Sequence, residues 1–322
     1  MPLTNQNMLT LNADAAFLWN LDSMVHEKSY RAHAALTQAS FSFDGQYIAT
    51  GSRSVKIWDS NSGAAVGKIE TPHRGPVRGV QFSRSGPDYL LATTGDDGYA
   101  RVWNWTPRTS QFDMIAEYEL TVDPSNSGTN RLPGRCVGFS PDGKSLLVGG
   151  IGGIARLWTL NGNGPPRVYD SPDAGTFTCC DFSSDGNWIA MGSSDKRARL
   201  WKLNPPTAPA EAPIVMKGHA DQIEDIRILQ DQSDELRVLT ASLDKSARIW
   251  DPRLESPEKR GRELVTLRKH TLGVTAIDAT SDGELIMTAG RDGTVVLWPA
   301  VESKKATSAV EQENLFESVL EQ

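Results

Sequence analysis

The sequence predicts an all-β fold, a seven-bladed β-propeller of four-stranded antiparallel blades, from a recurring tryptophan, an apolar strand before it and a recurring tight turn. Seven tryptophans close seven similar segments: Trp19, Trp58, Trp103, Trp158, Trp201, Trp250 and Trp298. Their separations are 39, 45, 55, 43, 49 and 48 residues, close to the about 40–45 residues of a four-stranded blade and too long for leucine-rich or helical-pair repeats. Short apolar strands lead into them, as in Val55-Lys56-Ile57-Trp58, Ala198-Arg199-Leu200-Trp201 and Val295-Val296-Leu297-Trp298. A chain of 322 residues could fill two domains, yet repeats add units to one body. One body over residues 1–300 is therefore expected, followed by a polar tail over 301–322.

The segment His219 to Asp251 shows the unit most fully. Gln222 to Leu229 alternates with Ile223, Ile226 and Ile228 apolar, Asp231 to Glu235 is a polar turn, and Leu236 to Ala241 is a second strand. Asp244 opens a tight turn and Ser246 to Trp250 is a third strand, so the unit is an antiparallel meander. The first turn recurs as Phe41-Ser42-Phe43-Asp44-Gly45, Phe139-Ser140-Pro141-Asp142-Gly143 and Phe182-Ser183-Ser184-Asp185-Gly186. Asp-Gly suits a reversal because glycine accepts positive φ and the Asp carboxylate can take a backbone N–H two residues on.

On these residues the chain resembles the WD40 repeat family. Gly218-His219 and Trp250-Asp251 match the Gly-His and Trp-Asp pairs that outline such repeats, Trp58-Asp59 repeats the second, and the match covers roughly residues 10 to 300. The resemblance implies hydrogen-bonded sets of His, Ser or Thr, Asp and Trp. Here they would be His73, Thr93, Asp97 and Trp103; His219, Thr240, Asp244 and Trp250; and His270, Thr288, Asp292 and Trp298. Other units depart from the pattern. The Trp201 unit keeps Asp195 but has Met191 for the Thr, the Trp158 unit has Val148 and Gly152, and the Trp58 unit keeps His33 and Thr50 without the Asp. Looser blades are expected there, since a buried polar network contributes only when its members are satisfied. At the ends, Ser303 to Val310 is a weak candidate strand to close the ring, and Leu315, Phe316, Val319 and Leu320 share one face of a possible C-terminal helix.

Composition narrows the function classes. A net charge of −7 and a pI near 5.3 argue against a general nucleic-acid surface. No apolar run approaches the about twenty residues of a membrane span. The three cysteines, Cys136, Cys179 and Cys180, imply no disulfide framework, and a soluble cytoplasmic monomer is expected. Alternation on an apolar strand sends Cys179 and Cys180 to opposite faces as packing groups rather than nucleophiles. The histidines are claimed by the repeat, leaving His26 without a companion at metal-ligand spacing, so no metal and no cofactor is called. Gly149-Gly150-Ile151-Gly152-Gly153 lacks the Lys-Ser/Thr of a phosphate loop and falls where a turn belongs. Asn204 to Pro209 reads as a stiff connector rather than a Pro-x-x-Pro ligand. Lys56, Arg101, Arg156, Arg199 and Arg248, each two residues before a tryptophan, read as stems packed on blade flanks rather than a basic stripe.

No catalytic constellation emerges, and the resemblance implies a non-enzymatic scaffold that docks a protein or peptide. Two alternatives stay open: a regulatory propeller of a larger protein, and a small-ligand or enzymatic propeller with its site at the central channel. By position in the family, one rim of the channel would carry Thr37, Arg78, Arg135, Thr178, Glu224 and Thr275, with Asp96, Ser194, Leu243 and Arg291 beside them. Arg78 and Arg135 come from adjacent blades, and their guanidinium forks would suit an anionic group on the partner.

Overall fold

The computed structural model describes residues 7–299, apart from 12–14, 21–24, 32–34, 87, 123–130, 163, 204–210, 231–234, 253–260, 281–282 and 284. Ser303 to Val310, the helical face of 315–320, His33 and the proline-rich connector all lie outside the described residues.

The strands fall into seven antiparallel sheets in chain order. Sheet one joins β1 (Asn7–Leu11), β2 (Ala15–Asn20) and β3 (Val25–Arg31). Sheet two holds β4 (Gln38–Phe41), β5 (Tyr47–Gly51), β6 (Val55–Asp59) and β7 (Ala65–Ile69). Sheet three holds β8 (Val77–Phe82), β9 (Tyr89–Gly95), β10 (Tyr99–Thr106) and β11 (Gln111–Glu119). Sheet four holds β12 (Gly134–Phe139), β13 (Ser145–Gly150), β14 (Ala155–Thr159) and β15 (Arg167–Val168). Sheet five holds β16 (Phe177–Phe182), β17 (Trp188–Ser193), β18 (Arg197–Lys202) and β19 (Ile214–Lys217). Sheet six holds β20 (Ile223–Gln230), β21 (Leu236–Ser242), β22 (Ala247–Asp251) and β23 (Arg262–Leu267). Sheet seven holds β24 (Val274–Ala279), β25 (Leu285–Gly290) and β26 (Val295–Pro299). These are the seven blades of a propeller, but among the described residues the first and seventh have three strands rather than the expected four. Trp19 lies on the middle strand of its sheet whereas every other repeat tryptophan lies on the third, so among the described residues sheet one has no counterpart of the innermost strand.

Local chemistry sets the turns. In the first turn of blade two, the hydroxyl of Ser42 and the N–H of Gln46 both donate to Asp44 Oδ1, at 2.6 and 3.1 Å, and Gly45 takes φ 68°. The same arrangement returns at Ser140, Asp142 and Gly143 (φ 69°) and at Ser183, Asp185 and Gly186 (φ 71°). Residues 149–153 form the end of β13 and a turn.

The core is six apolar clusters, one between each successive pair of described blades. Cys180 packs in the cluster of blades four and five and Cys179 in that of blades five and six, as strand alternation requires. First strands of successive blades pack on one another around the centre, and side chains there reach the next blade's backbone. Gln38 accepts from Val80 N at 2.9 Å, Ser40 from Phe82 N at 3.1 Å, and Gln81 from Phe139 N at 2.7 Å. Asp181 accepts from Ile228 N at 2.9 Å and Asp225 from Ile277 N at 3.0 Å. Gly138 interrupts the series between blades four and five; across that gap Arg84 of blade three reaches Asp181 of blade five at 3.1 Å.

Buried polar groups brace the blades as expected where the set is complete. Trp250 Nε1 donates to Thr240 Oγ1 at 2.8 Å, Thr240 Oγ1 meets His219 Nε2 at 2.7 Å, and His219 Nδ1 meets Asp244 Oδ2 at 2.8 Å. The sets of Trp103 and Trp298 close the same way. In the Trp58 unit, Trp58 still donates to Thr50 at 2.9 Å. Elsewhere the flank-packing reading of the arginines needs correction. Arg199 is buried and forks onto Asp195 at 3.1 and 2.6 Å. Arg156 is buried on Asp170 and the carbonyls of Thr121 and Val122, and Arg248 on Glu263. A buried guanidinium without an acceptor would be costly; each of these has one. In the Trp201 and Trp158 units, where looser blades are expected, ion pairs thus stand in place of the polar set.

Candidate functional site

Each innermost strand from blade three to blade seven carries a β-bulge near its start. The ladder skips from Val77 to Gly79, Gly134 to Cys136, Phe177 to Cys179, Ile223 to Asp225 and Val274 to Ala276. The extra residues are Arg78, Arg135, Thr178, Glu224 and Thr275, five of the positions picked from the sequence; Thr37 directly precedes β4. A bulge lifts one residue out of the ladder and re-aims its side chain. All six stand at the end of the blades that also carries the second-to-third turns and the connections between blades.

The structure divides them by chemistry. The Thr37 hydroxyl is within hydrogen-bond reach of the carbonyls of Gly51 and Val77, at 3.1 and 2.8 Å. Thr178 faces the carbonyls of Gly192 and Ile223, and Thr275 that of Ala289 at 3.3 Å. These hydroxyls tie the innermost strand to its neighbours. Ser194 accepts from Thr176 N at 2.9 Å.

Arg78 and Arg135 do converge, but on Asp96 of the same rim. Arg78 forks onto Asp96 at 2.9 and 2.6 Å, and Arg135 Nη1 lies 3.3 Å from Asp96 Oδ1. The Arg78 hydrogen bonds, aided by the charges of Arg78 and Arg135, hold the Asp96 carboxyl below its usual range against the effect of burial. One carboxylate meets two guanidiniums, leaving a positive charge. On the far side of the channel, Glu224 accepts from Gln222 Nε2 at 2.5 Å, and Arg291 approaches it at 3.7 Å with its side chain 57% exposed. Sequence position found these residues; the pairing with Asp96 needed the distance between two loops. Leu272 was missed because it lies in a connection without strand periodicity; it is 49% exposed.

Other reactive groups are enclosed. All three thiols are buried; burial pushes Cys179 well up, and the contact with Cys136 followed by burial does the same for Cys180. Among the described residues no group of three or more His, Cys, Asp or Glu could hold a metal ion, and no helix is long and apolar enough to cross a membrane.

The family model described as WD domain, G-beta repeat matches residues 24–59, 66–104, 134–159, 165–202, 212–251 and 261–299. The chain therefore belongs to the WD40 repeat family. Most matched stretches open on the outer strand of one sheet and close on the third strand of the next, so the sequence repeat straddles two blades. Among curated proteins it is 27% identical over 154 residues to the U5 small nuclear ribonucleoprotein 40 kDa protein of Dictyostelium discoideum, covering 47% of this chain and 39% of that one. It is 30% identical over 169 residues to pre-mRNA-processing factor 19 homolog 2 of Arabidopsis thaliana, covering 42% and 31%. To the human angio-associated migratory cell protein it is 28% identical over 184 residues, covering 55% and 38%. The chain spans less than two-fifths of the length of each of these relatives.

Proposed function

We propose that this chain is a non-enzymatic scaffold that docks a protein or peptide on the channel rim carrying Arg78, Arg135, Glu224 and Arg291. The carrying observation is the row of bulges, which re-aims one side chain per blade at that rim from five successive innermost strands. Two relatives whose names place them in a ribonucleoprotein and in pre-mRNA processing support a role in an assembly. Rigid rings suit that role because little order is lost on binding. The reading includes a monomeric chain, cytoplasmic residence, no cofactor, and a partner bearing an anionic group.

Affinity capture from cells tests it, comparing wild type with an Arg78→Ala, Arg135→Ala double variant. A partner retained by wild type and lost by the double variant at unchanged melting temperature is expected. Equal retention would move the docking surface elsewhere. Fractionation of the tagged protein checks the compartment.

A further inference from the structure

The rim holds two sectors of unengaged chemistry, and they differ in kind. At blades three and four, Arg135 has Asp96 as its one ion-pair partner among the described residues, at the Oδ1 that also takes Arg78 Nε, while Arg78 Nη2 takes Oδ2. Arg135 is 29% exposed on its side chain. Arg53, in the β5–β6 turn, and Arg74, in the connection before β8, stand exposed on the same end and make no ion pair among the described residues. This sector is positive on a chain whose net charge is −7.

At blades six and seven Glu224 and Arg291 face each other across 3.7 Å, and an apolar pair stands beside them on the rim. Leu243 occupies the β21–β22 turn and Leu272 the connection before β24. A Cβ on Gly273 would meet Leu243 Cδ2 at 2.7 Å, so Leu243 lies against the backbone beside Leu272. Between these sectors stand Thr37 and Thr178, whose hydroxyls face backbone carbonyls.

We infer that the rim takes an extended peptide with two anchors, an acidic side chain on Arg135 and an aliphatic side chain on Leu243 and Leu272. The inference rests on the docking face proposed above and adds its ligand chemistry. A carboxylate suits Arg135 because a guanidinium offers paired N–H donors in the plane of the acceptor. The Arg78–Asp96 fork beside it limits the swing of that guanidinium. An aliphatic residue suits the opposite sector because covering Leu272 removes apolar surface from water. A peptide with one anchor would hold one side of the channel; the second anchor makes the next contact intramolecular.

Fluorescence anisotropy with labelled Gly/Ser peptides bearing one Glu and one Leu at graded spacings tests this, with single-anchor peptides as controls. The best two-anchor peptide should bind about tenfold tighter than either control. Arg135→Ala should abolish the advantage conferred by Glu, and Leu272→Ser the advantage conferred by Leu. A charge exchange guards against a folding artefact: Arg135→Glu should prefer the peptide in which Lys replaces Glu. Binding that ignores Arg135 and Leu272, or no binding by any peptide of the set, overturns the inference. If affinity capture still depends on Arg78 and Arg135, the docking face survives that failure. If it does not, both readings fall.

Discussion

In the sixth blade the turn carboxylate of Asp244 is held by the imidazole of His219; in the fifth, that of Asp195 is held by the guanidinium of Arg199. The sixth needs Thr240 to link imidazole to indole, whereas the fifth has Met191 at that position, fully buried, with no hydroxyl to satisfy. In the fifth blade histidine and threonine are both absent, and the arginine before the tryptophan holds the turn Asp, whereas Arg248 of the sixth blade goes to Glu263 of the outer strand. The fourth blade goes further, having no turn Asp, and its Arg156 takes Asp170 and two carbonyls of the preceding connection. A blade needs its buried polar groups paired; which residues pair them is free to vary.

The largest test of this comparison is the tryptophan itself. Trp250→Ala should cost about 3–5 kcal/mol, from the cavity left by a large aromatic. Trp201→Ala leaves a cavity too, but no Thr hydroxyl at position 191 loses a donor. Chemical denaturation should show the Trp250 variant worse by about 1 kcal/mol, the scale of one hydrogen bond. Equal losses would mean that the polar link adds nothing.

Next comes the substitute pair. Arg199→Met should destabilise by about 3 kcal/mol, because it leaves Asp195 without its buried counter-ion. Adding Asp195→Asn should recover part of that loss. A double variant no better than the single one would locate the effect in lost arginine packing.

Acidification should separate blade three from blade five. Burial disfavours the charged form of His73 and holds it below its ordinary 6.5 despite the pull of Asp97. The unfolded chain then binds a proton that the folded chain resists, so this contribution is complete above pH 6.5 and declines as the pH falls below it. Asp97 acts lower on the scale. Burial opposes its charge, but Arg101 and His73 outweigh burial and hold the carboxyl at about 2 instead of 3.8. Its contribution is present above pH 3.8 and is lost as the pH falls toward about 2. His73→Asn should flatten the fall of melting temperature as the pH is taken below 6.5. An unchanged slope would show that His73 is not the group responsible.

The smallest effect is expected at the joint between blades four and five. A Cβ on Gly138 would sit 3.6–3.8 Å from Gln81, Cys180 and Phe182, in ordinary contact. Gly138→Ser would offer Phe182 N–H the kind of acceptor that Ser40 offers Phe82. A gain of about 0.5–1.5 kcal/mol is expected; a loss would mean that the inner strand cannot admit the side chain.

Much of this was legible in the chain. Asp44-Gly45 and its repeats specify a turn by contacts within a few residues, and the strand before each tryptophan declares itself by alternation, so neither waits on distant residues. The complete sets around Trp103, Trp250 and Trp298 could be located because the resemblance to the WD40 family assigns their positions within each repeat. The rim positions could be named for the same reason, but not their state. Asp96 lies next to Asp97 in the chain, yet one pairs with Arg78 and Arg135 and the other with His73 and Arg101.

The sequence by itself determined the repeat, the antiparallel meander and the side chains that face each blade's core, because these follow from period-two alternation and from the backbone preferences of Asp-Gly turns. Tertiary structure alone decided the partners of Arg135, Arg156 and Arg199, the reach of Arg84 to Asp181 across the gap at Gly138, and the bulges that re-aim the rim. A long charged side chain can meet any acceptor within several ångströms, and only the packed ring brings residues separated by dozens of positions to that distance.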